Sequence, residues 1–414
     1  MARLQSISEA EIQEMSSMLQ SRVVTEVVAQ VQGMLGQLSS TTLDIAVTGE
    51  SGSGKSAFIN AFRGLGDEDP MAARTGVTET TEEVISYPHP SMPTVRLWDL
   101  PGIGTPSFQP QSYLQDVGLT KYDFFIIVAS ERFRECHAML ARSVEQLGKR
   151  FYFVRNKVDN DLEASARRRG GKGFNEEAVL GSMRSDCEEG LRKSGVWWPR
   201  VYLLSCFQPQ RFDFPLLQET LERELEGHKR HVFLLALPNL TVAVLEKKRQ
   251  ALIGSMWRTA MAACLSAATS GGAARGSIPV LMDTLRSYQH SFGLDTDSLH
   301  RLAGLTGKSY EELHREVQST SGRELSMQSV EGMLSQVALG QQVLVGLLES
   351  RIPILGAITS GGVSFIASYC LLRSALKDLS EDAERVMHRA LEGSVVESKD
   401  CCEDIPDPGY LYMD

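Results

Sequence analysis

The sequence has few cysteines and no long run of basic residues. Its seven cysteines are scattered, their odd number argues against a disulfide framework, and none has the spacing of metal ligands. The formal net charge is −10 and there is no long basic block, since Arg167–Arg169 form only a short cluster, which disfavours nucleic acid as a partner. No signal peptide is recognisable at the N-terminus. We therefore expect a cytoplasmic protein with reduced cysteines that does not bind nucleic acid.

Length and composition predict two folded domains. The chain has 414 residues, of which 42% are hydrophobic and 23% charged, within the usual range of globular proteins. We predict an N-terminal helical segment at 1–40, an α/β domain at 41–225 and a helical domain at 226–400. Residues 401–414 are rich in acidic residues and proline, so we expect a disordered tail.

Apolar runs of strand length alternate with helical patterns in the middle of the chain. The strands are predicted at 43–48, 94–99, 123–129, 151–155 and 201–205, with an edge strand near 83–87. Such alternation is typical of βαβ units, which form a mainly parallel sheet covered on both faces. Beyond about residue 226 the pattern is almost wholly helical. The fold class predicted is α/β with an attached helical domain.

A glycine-rich motif follows the first predicted strand. It reads Gly49, Glu50, Ser51, Gly52, Ser53, Gly54, Lys55 and Ser56, and a helical pattern comes directly after it. This strand–loop–helix context is that of a phosphate-binding loop, in which backbone N–H groups and a helix N-terminus surround a polyphosphate. Lys55 would contact the β- and γ-phosphates, and the Ser56 hydroxyl would bind Mg²⁺.

Two further motifs occur in the expected order. Asp99-Leu100-Pro101-Gly102 ends the second long strand, where Asp99 would hold Mg²⁺ and the Gly102 N–H would contact the γ-phosphate. Asn156-Lys157-Val158-Asp159 follows a later strand. The Asp159 carboxylate can accept two hydrogen bonds from guanine, whereas adenine lacks that pair of donors.

The neighbours of Asp159 have predicted supporting roles. Lys157 would lie along the base, and Asn156 would connect this motif to the phosphate loop. Ser205, at the end of the last strand, would place a backbone N–H near the guanine oxygen, although a plain strand end explains that residue equally well.

Residues 352–372 allow two interpretations. This segment of 21 residues has no charge, which satisfies the length of a membrane span. It also contains Gly356, Gly361 and Gly362 and several hydroxyl residues, which favours a buried helix or a broken helix pair in the helical domain.

Taken together, the motifs resemble those of the immunity-related GTPases, the interferon-inducible group related to dynamin-like proteins. The resemblance also includes Thr75-Gly76-Val77-Thr78-Glu79-Thr80-Thr81, Tyr122-Asp123-Phe124-Phe125 and Ser291-Phe292-Gly293-Leu294-Asp295. It implies a Ras-like G domain at 41–225 and one helical domain built from both ends of the chain. Because Lys55 stands where one subgroup has Met, the chain resembles the Lys-bearing effector type; Asn156 stands where many members have Thr.

The resemblance also implies partners and a setting. It implies binding of GTP and GDP with Mg²⁺, self-association through G domains, and peripheral contact with intracellular membranes, in cell-autonomous defence. Thr75 or Thr81 would cover Mg²⁺ and the γ-phosphate, and the resemblance does not decide between them.

Catalysis is the least determined part of the prediction. Ile103-Gly104 stands where small GTPases place a water-orienting Gln. The resemblance points to Glu79 as a catalytic residue that becomes productive when two G domains meet, although a solvated loop carboxylate is the alternative. Two functions therefore remain: a GTPase whose turnover depends on assembly, or a nucleotide-dependent scaffold with negligible hydrolysis.

Replacing Asp159 tests base recognition. We expect Asp159→Asn to weaken GTP binding by about 1–3 kcal/mol, because a buried polar group of guanine loses its partner. The same variant should gain affinity for xanthine nucleotides, which present a carbonyl where guanine has its amine. Unchanged GTP affinity, measured by titration calorimetry, would show that this residue does not read the base.

Overall fold

The structure is a computed structural model of the chain. It describes residues 24–76, 83–103, 115–168, 173–269, 276–323, 325–340 and 365–392, together with the single residues 13 and 113. All structural statements concern these residues. The motif residues Glu79 and Thr81 lie outside them, as does the predicted tail.

A six-stranded sheet forms the centre of the α/β part. Its strands are β1 (Leu43–Gly49), β2 (Ile85–Pro88), β3 (Val95–Asp99), β4 (Phe124–Ala129), β5 (Arg150–Arg155) and β6 (Val201–Leu203). The strand order is β2-β3-β1-β4-β5-β6, with β2 antiparallel to β3 and every other neighbouring pair parallel. The predicted α/β fold with a mainly parallel sheet is thus confirmed. β6 is shorter than predicted, because the chain turns at Ser205, whose carbonyl accepts from the Gln208 N–H.

Fourteen α-helices are described. α1 (Val24–Ser40) precedes the sheet. In the α/β part the helices are α2 (Lys55–Arg63), α3 (Glu135–Gln146), α4 (Val158–Arg168), α5 (Glu176–Lys193) and α6 (Phe214–Glu224). The rest are α7 (Gly227–Ala236), α8 (Val242–Thr269), α9 (Ser277–Ser291), α10 (Thr296–Thr306), α11 (Tyr310–Arg315), α12 (Thr320–Arg323), α13 (Met327–Gly340) and α14 (Phe365–Leu391).

Helices cover both faces of the sheet. On one face, Phe58 and Phe62 of α2 pack with Phe214 of α6 and Phe233 of α7. On the other face, apolar residues of α3 and α5 pack on β4 and β5. Strands buried on both faces read as continuous apolar runs, as β4 does, whereas buried β1 is interrupted by Asp44, which pairs with Arg96. This burial fixes the ends of the strands at which the motif residues lie.

The helical part has its own core around α8 and α14. Trp257 of α8 and Leu372 of α14 are fully buried in it. Val31 of α1 belongs to the same core, so residues from before and after the α/β part pack together. Leu235 of α7 also contacts this core, whereas Phe233 of the same helix packs on the sheet. α7 therefore joins the two parts.

None of the helices within the described ranges is long and apolar enough to cross a bilayer. The segment 352–372 falls mostly outside these ranges. Its last residues begin α14, which continues through charged residues to Leu391. The choice between a buried and a membrane-inserted segment stays a prediction.

A buried carboxylate holds the turn before α12. Asp382 of α14 is fully buried and accepts from the Gln318 N–H (3.0 Å) and from the Ser319 N–H (3.1 Å) and hydroxyl (2.6 Å). Arg385 pairs with the same carboxylate. Such a group organises several donors that would otherwise be buried without acceptors.

We expect Asp382→Ala to lower the free energy of unfolding by about 3 kcal/mol, because it leaves buried donors and a cation without their acceptor. Glu381→Ala is the matched control, since Glu381 is exposed and its ion pair with Lys377 is at the surface. Chemical denaturation would measure both changes. Equal losses in the two variants would contradict this role of Asp382.

Candidate functional site

The glycine-rich loop between β1 and α2 has a backbone that only glycine adopts without strain. Gly49 has φ +147°, and a Cβ there would lie 1.9 Å from the Val128 carbonyl oxygen. Gly54 has φ +91°, and a Cβ there would lie 2.4 Å from Asn156 Nδ2. The loop therefore passes close to β4 and to the Asn156 motif, and leaves room for a ligand on its open side.

Lys55 is the first residue of α2 and lies over this loop. Its side chain is buried, and Nζ donates to the carbonyl oxygens of Gly49 (3.4 Å) and Glu50 (3.1 Å). These bonds fix the ammonium beside the N-terminus of α2. Cation and helix N-terminus together favour a bound anion.

Ser56, in the first turn of α2, meets Asp99 at the end of β3. The Ser56 hydroxyl donates to Asp99 Oδ2 at 2.7 Å, and Asp99 is 1% exposed. The parallel pairing of β1 with β3 brings Asp99 level with Val47, just before the loop. A hydroxyl and a carboxylate are oxygen ligands of the kind that Mg²⁺ prefers, so this pair fits that ion.

Asn156 links the end of β5 to the glycine-rich loop. Its Nδ2 donates to the Ser53 carbonyl at 3.1 Å, and its Oδ1 accepts from the Cys206 thiol at 3.2 Å. Burial raises the pKa of Cys206 to about 12, which keeps the thiol protonated as a donor. Lys157 adopts φ +61° and donates from Nζ to the Gly52 carbonyl at 2.8 Å. Both side chains therefore hold the loop from the same side.

Asp159 has an unused acceptor. It lies in the first turn of α4, and its Oδ1 is buried without a hydrogen-bond partner among the described residues. A buried acceptor in this state costs free energy unless a ligand supplies a donor. Guanine, which offers two adjacent N–H groups, fits this carboxylate.

A cleft of about 310 Å³ contains most of these groups. Its walls include the predicted residues Ser51, Gly52, Gly54, Lys55, Ser56, Thr75, Asn156, Lys157 and Asp159. Six other predicted residues, Gly49, Glu50, Ser53, Asp99, Gly102 and Ser205, do not line it, although several support it through the bonds above. Glu79 and Thr81 lie outside the described residues.

The Glu50 side chain faces α3 rather than the cleft. Its Oε1 lies 3.3 Å from Arg134 Nη1 and accepts from the Cys136 thiol at 3.4 Å. His137 is fully buried beside it, and burial together with the charge of Arg134 lowers its pKa to about 4. Glu50 therefore contributes its backbone carbonyl to the site, through Lys55, and its side chain to the contact with α3.

Sequence reasoning missed Asp67, Cys206 and Phe207, which also line the cleft. Asp67 accepts from Asn60 Nδ2 of α2 at 3.0 Å. Phe207 is 76% exposed, an unusual state for an aromatic side chain at the wall of a cleft. The position of Cys206 and Phe207 directly after Ser205 could have indicated that they line the cleft. No local sequence pattern indicates the same for Asp67.

The bond from Asn156 to the loop gives a test. We expect Asn156→Ala to weaken GTP and GDP binding about tenfold each, because the loop loses the hydrogen bond that holds Ser53. Asn175→Ala is the control of the same type, since that side chain caps α5 through the Ala178 N–H, apart from the cleft. Titration calorimetry measures both; equal affinities in the two variants would contradict the role of Asn156.

Comparison with known proteins agrees with this geometry. The model of the family "Interferon-inducible GTPase (IIGP)" matches residues 8–359. Interferon-inducible GTPase 5 of Bos taurus is 41% identical over 93% of this chain and 83% of its own length. Interferon-gamma-inducible GTPase 10 of Mus musculus is 35% identical over 92% of this chain and 90% of its own. T-cell-specific guanine nucleotide triphosphate-binding protein 2 of Mus musculus is 41% identical over 72% of each. The chain therefore belongs to the interferon-inducible GTPase family.

Proposed function

We propose that this chain binds guanine nucleotides with Mg²⁺ and hydrolyses GTP to GDP and phosphate. The observation that carries the proposal is the buried, unpartnered Oδ1 of Asp159 in the same cleft as Lys55 and Ser56. The carboxylate that would recognise the base and the loop that would bind the polyphosphate therefore line the same cleft. The GTPases among the relatives support the same assignment.

The described residues have distinct roles in this proposal. Backbone N–H groups of the loop, Lys55 and the N-terminus of α2 bind the β- and γ-phosphates. Ser56 and Asp99 would hold Mg²⁺, which neutralises charge on the phosphates when bound. Asp159 selects guanine, while Asn156 and Lys157 keep the loop in the conformation that receives the phosphates.

The group that orients the attacking water is not evident at position 103. Ile103 is buried, its N–H donates to the Gly49 carbonyl at 3.0 Å, and it forms a bridge with Glu50. An apolar residue packed in this way cannot hold a water molecule. We infer that Glu79 takes this role when a second G domain completes the site, with Thr75 or Thr81 covering the γ-phosphate.

Self-association and membrane contact complete the proposal. We infer that GTP-bound chains associate through their G domains and act peripherally at intracellular membranes, in cell-autonomous defence. The support is family membership, together with a site that lacks a water-orienting side chain at Ile103. The scaffold alternative differs from this proposal only in turnover, so one measurement separates them.

Hydrolysis should depend on protein concentration. With GTP saturating, we expect specific activity to rise with enzyme concentration, because the second chain supplies or reorients the catalytic group. Complementation in trans raises turnover by roughly 10³ or more in related phosphoryl transfers, and we expect less from a carboxylate. Glu79→Ala should flatten the rise and leave nucleotide affinity nearly unchanged.

Lys55→Ala serves as the inactive reference, since it removes the cation from the phosphates. If specific activity of the parent does not change with concentration, the dimer mechanism fails, and turnover no higher than that of Lys55→Ala would favour the scaffold. A rise that persists in Glu79→Ala would keep the dimer and remove Glu79 from catalysis.

A further inference from the structure

A second cavity, of about 110 Å³, lies where the α/β part meets the helical part. Its walls include Arg63 at the end of α2 and His89 in the turn after β2. Across from them it is lined by Lys248 of α8 and Arg301 of α10. We propose that this cavity binds a small oxyanion of the phosphate class, separately from the nucleotide cleft.

Lys248 is the central observation. It is 1% exposed, and its Nζ donates to the Ser291 carbonyl at 2.7 Å. Within the described ranges no carboxylate lies within ion-pair distance of it. Burial lowers its pKa to about 7, as expected for an ammonium without a counter-ion. Buried charges are normally paired, so an anion in the cavity would supply the missing partner.

His89 adds a donor without an acceptor. Its Nδ1 accepts from the Ser91 N–H at 3.3 Å, so the neutral ring carries its proton on Nε2. His89 is 3% exposed, and Nε2 has no hydrogen-bond partner among the described residues. Burial, then the charges of Lys248 and Arg63, hold the pKa of His89 well below its usual range. The ring is therefore a neutral N–H donor at neutral pH.

The two arginines keep the cavity electropositive. Arg63 donates to the carbonyl oxygens of Pro88 (3.1 Å) and Met71 (2.9 Å), which leaves its charge without a bound carboxylate among the described residues. Arg301 lies 3.4 Å from Asp69 Oδ2, the acidic group nearest to it. Among the described residues, Asp69 is the one carboxylate within ion-pair distance of Arg63, Arg301 or Lys248, and this excess of cations favours an anion.

The pair of His290 with Asp295 and the amide of Asn239 complete the polar groups around the cavity. His290 bonds to Asp295 at 2.9 Å and to the Pro90 carbonyl at 3.1 Å, so this pair satisfies itself. Asn239 lines the cavity, and its Oδ1 is a buried acceptor without a partner among the described residues. Hydrogen phosphate has several acceptor oxygens and one O–H donor, and so matches both the unused donor of His89 and the unused acceptor of Asn239.

Size separates this cavity from the nucleotide cleft. Its volume of about 110 Å³ compares with about 310 Å³ for the cleft, so it admits a free phosphate and excludes a nucleotide. Its cations come from both parts of the chain. A bound phosphate would therefore hold the helical part against α2, the helix that begins with Lys55 and Ser56.

Phosphate titration of the full chain tests the proposal. A non-hydrolysable GTP analogue and Mg²⁺ are present in excess, so that its three phosphates fill the glycine-rich loop, including the γ-phosphate position, and chloride keeps the ionic strength constant. Titration calorimetry with inorganic phosphate should show one additional site in the parent. Lys248→Met and His89→Phe should each weaken it about tenfold or more, because each removes a buried donor to a charged group.

The controls make each outcome decisive. Lys247→Met alters the neighbouring lysine, which pairs with Glu222 away from the cavity, and should bind phosphate as the parent does. Lys248→Met removes an unpaired buried charge and should fold, and its unfolding midpoint checks this. His89→Phe gives an independent variant.

The proposal is overturned if phosphate gives no more binding heat with the parent than the same concentration of chloride gives. It is also overturned if both cavity variants bind like the parent, which would indicate an adventitious ion only. Failure of the proposed function would show separately, because the GTP analogue would then not raise the unfolding midpoint.

Discussion

The close approach of the glycine-rich loop to β4 is the constraint on which the rest of the site depends. At Gly49 a side chain would lie 1.9 Å from the Val128 carbonyl oxygen, so only glycine allows β1 to continue into this loop beside β4. The loop then turns back to start α2 at Lys55. The position of the Lys55 ammonium, and of the Ser56 hydroxyl next to Asp99, follows from that turn. The Lys55 ammonium, the Ser56 hydroxyl and the N-terminus of α2 are therefore all positioned by the same turn of the backbone.

Most of the lining of the candidate nucleotide cleft could be predicted from sequence because its residues occur in short motifs at strand ends, while their roles towards a nucleotide stay predictions. In a parallel sheet those ends meet at one edge, which is why Asp99 and Asn156, far apart in the chain, reach the same loop. Side-chain directions were less predictable. Glu50 turns towards Arg134 of α3, which the motif pattern does not contain. The φ of +61° at Lys157 and the bond from its Nζ to the Gly52 carbonyl, a long-range contact, likewise have no signal in the local sequence.

The second cavity could not have been found from sequence. Lys248 and His89 are 159 residues apart in the chain, and each looks like an ordinary surface residue within its own segment. Lys247 and Lys248 are neighbours in one basic stretch, yet one pairs with Glu222 at the surface and the other is buried against Ser291. Only the packing of α8 on α9 decides which lysine goes inside. Tertiary packing of this kind leaves no local signal.

α2 is the element that connects the two cavities. It has nine residues, a length of about 14 Å, and it presents Lys55 to the nucleotide cleft at one end and Arg63 to the second cavity at the other. Between them, Asn60 bonds to Asp67, a wall residue of the nucleotide cleft, and to the Ala73 carbonyl. Arg63 in turn donates to the Pro88 and Met71 carbonyls, so the end of α2 also contacts the segment that precedes Thr75 and the end of the strand before His89. α2 therefore contributes one cation to each of the two proposed ligand sites.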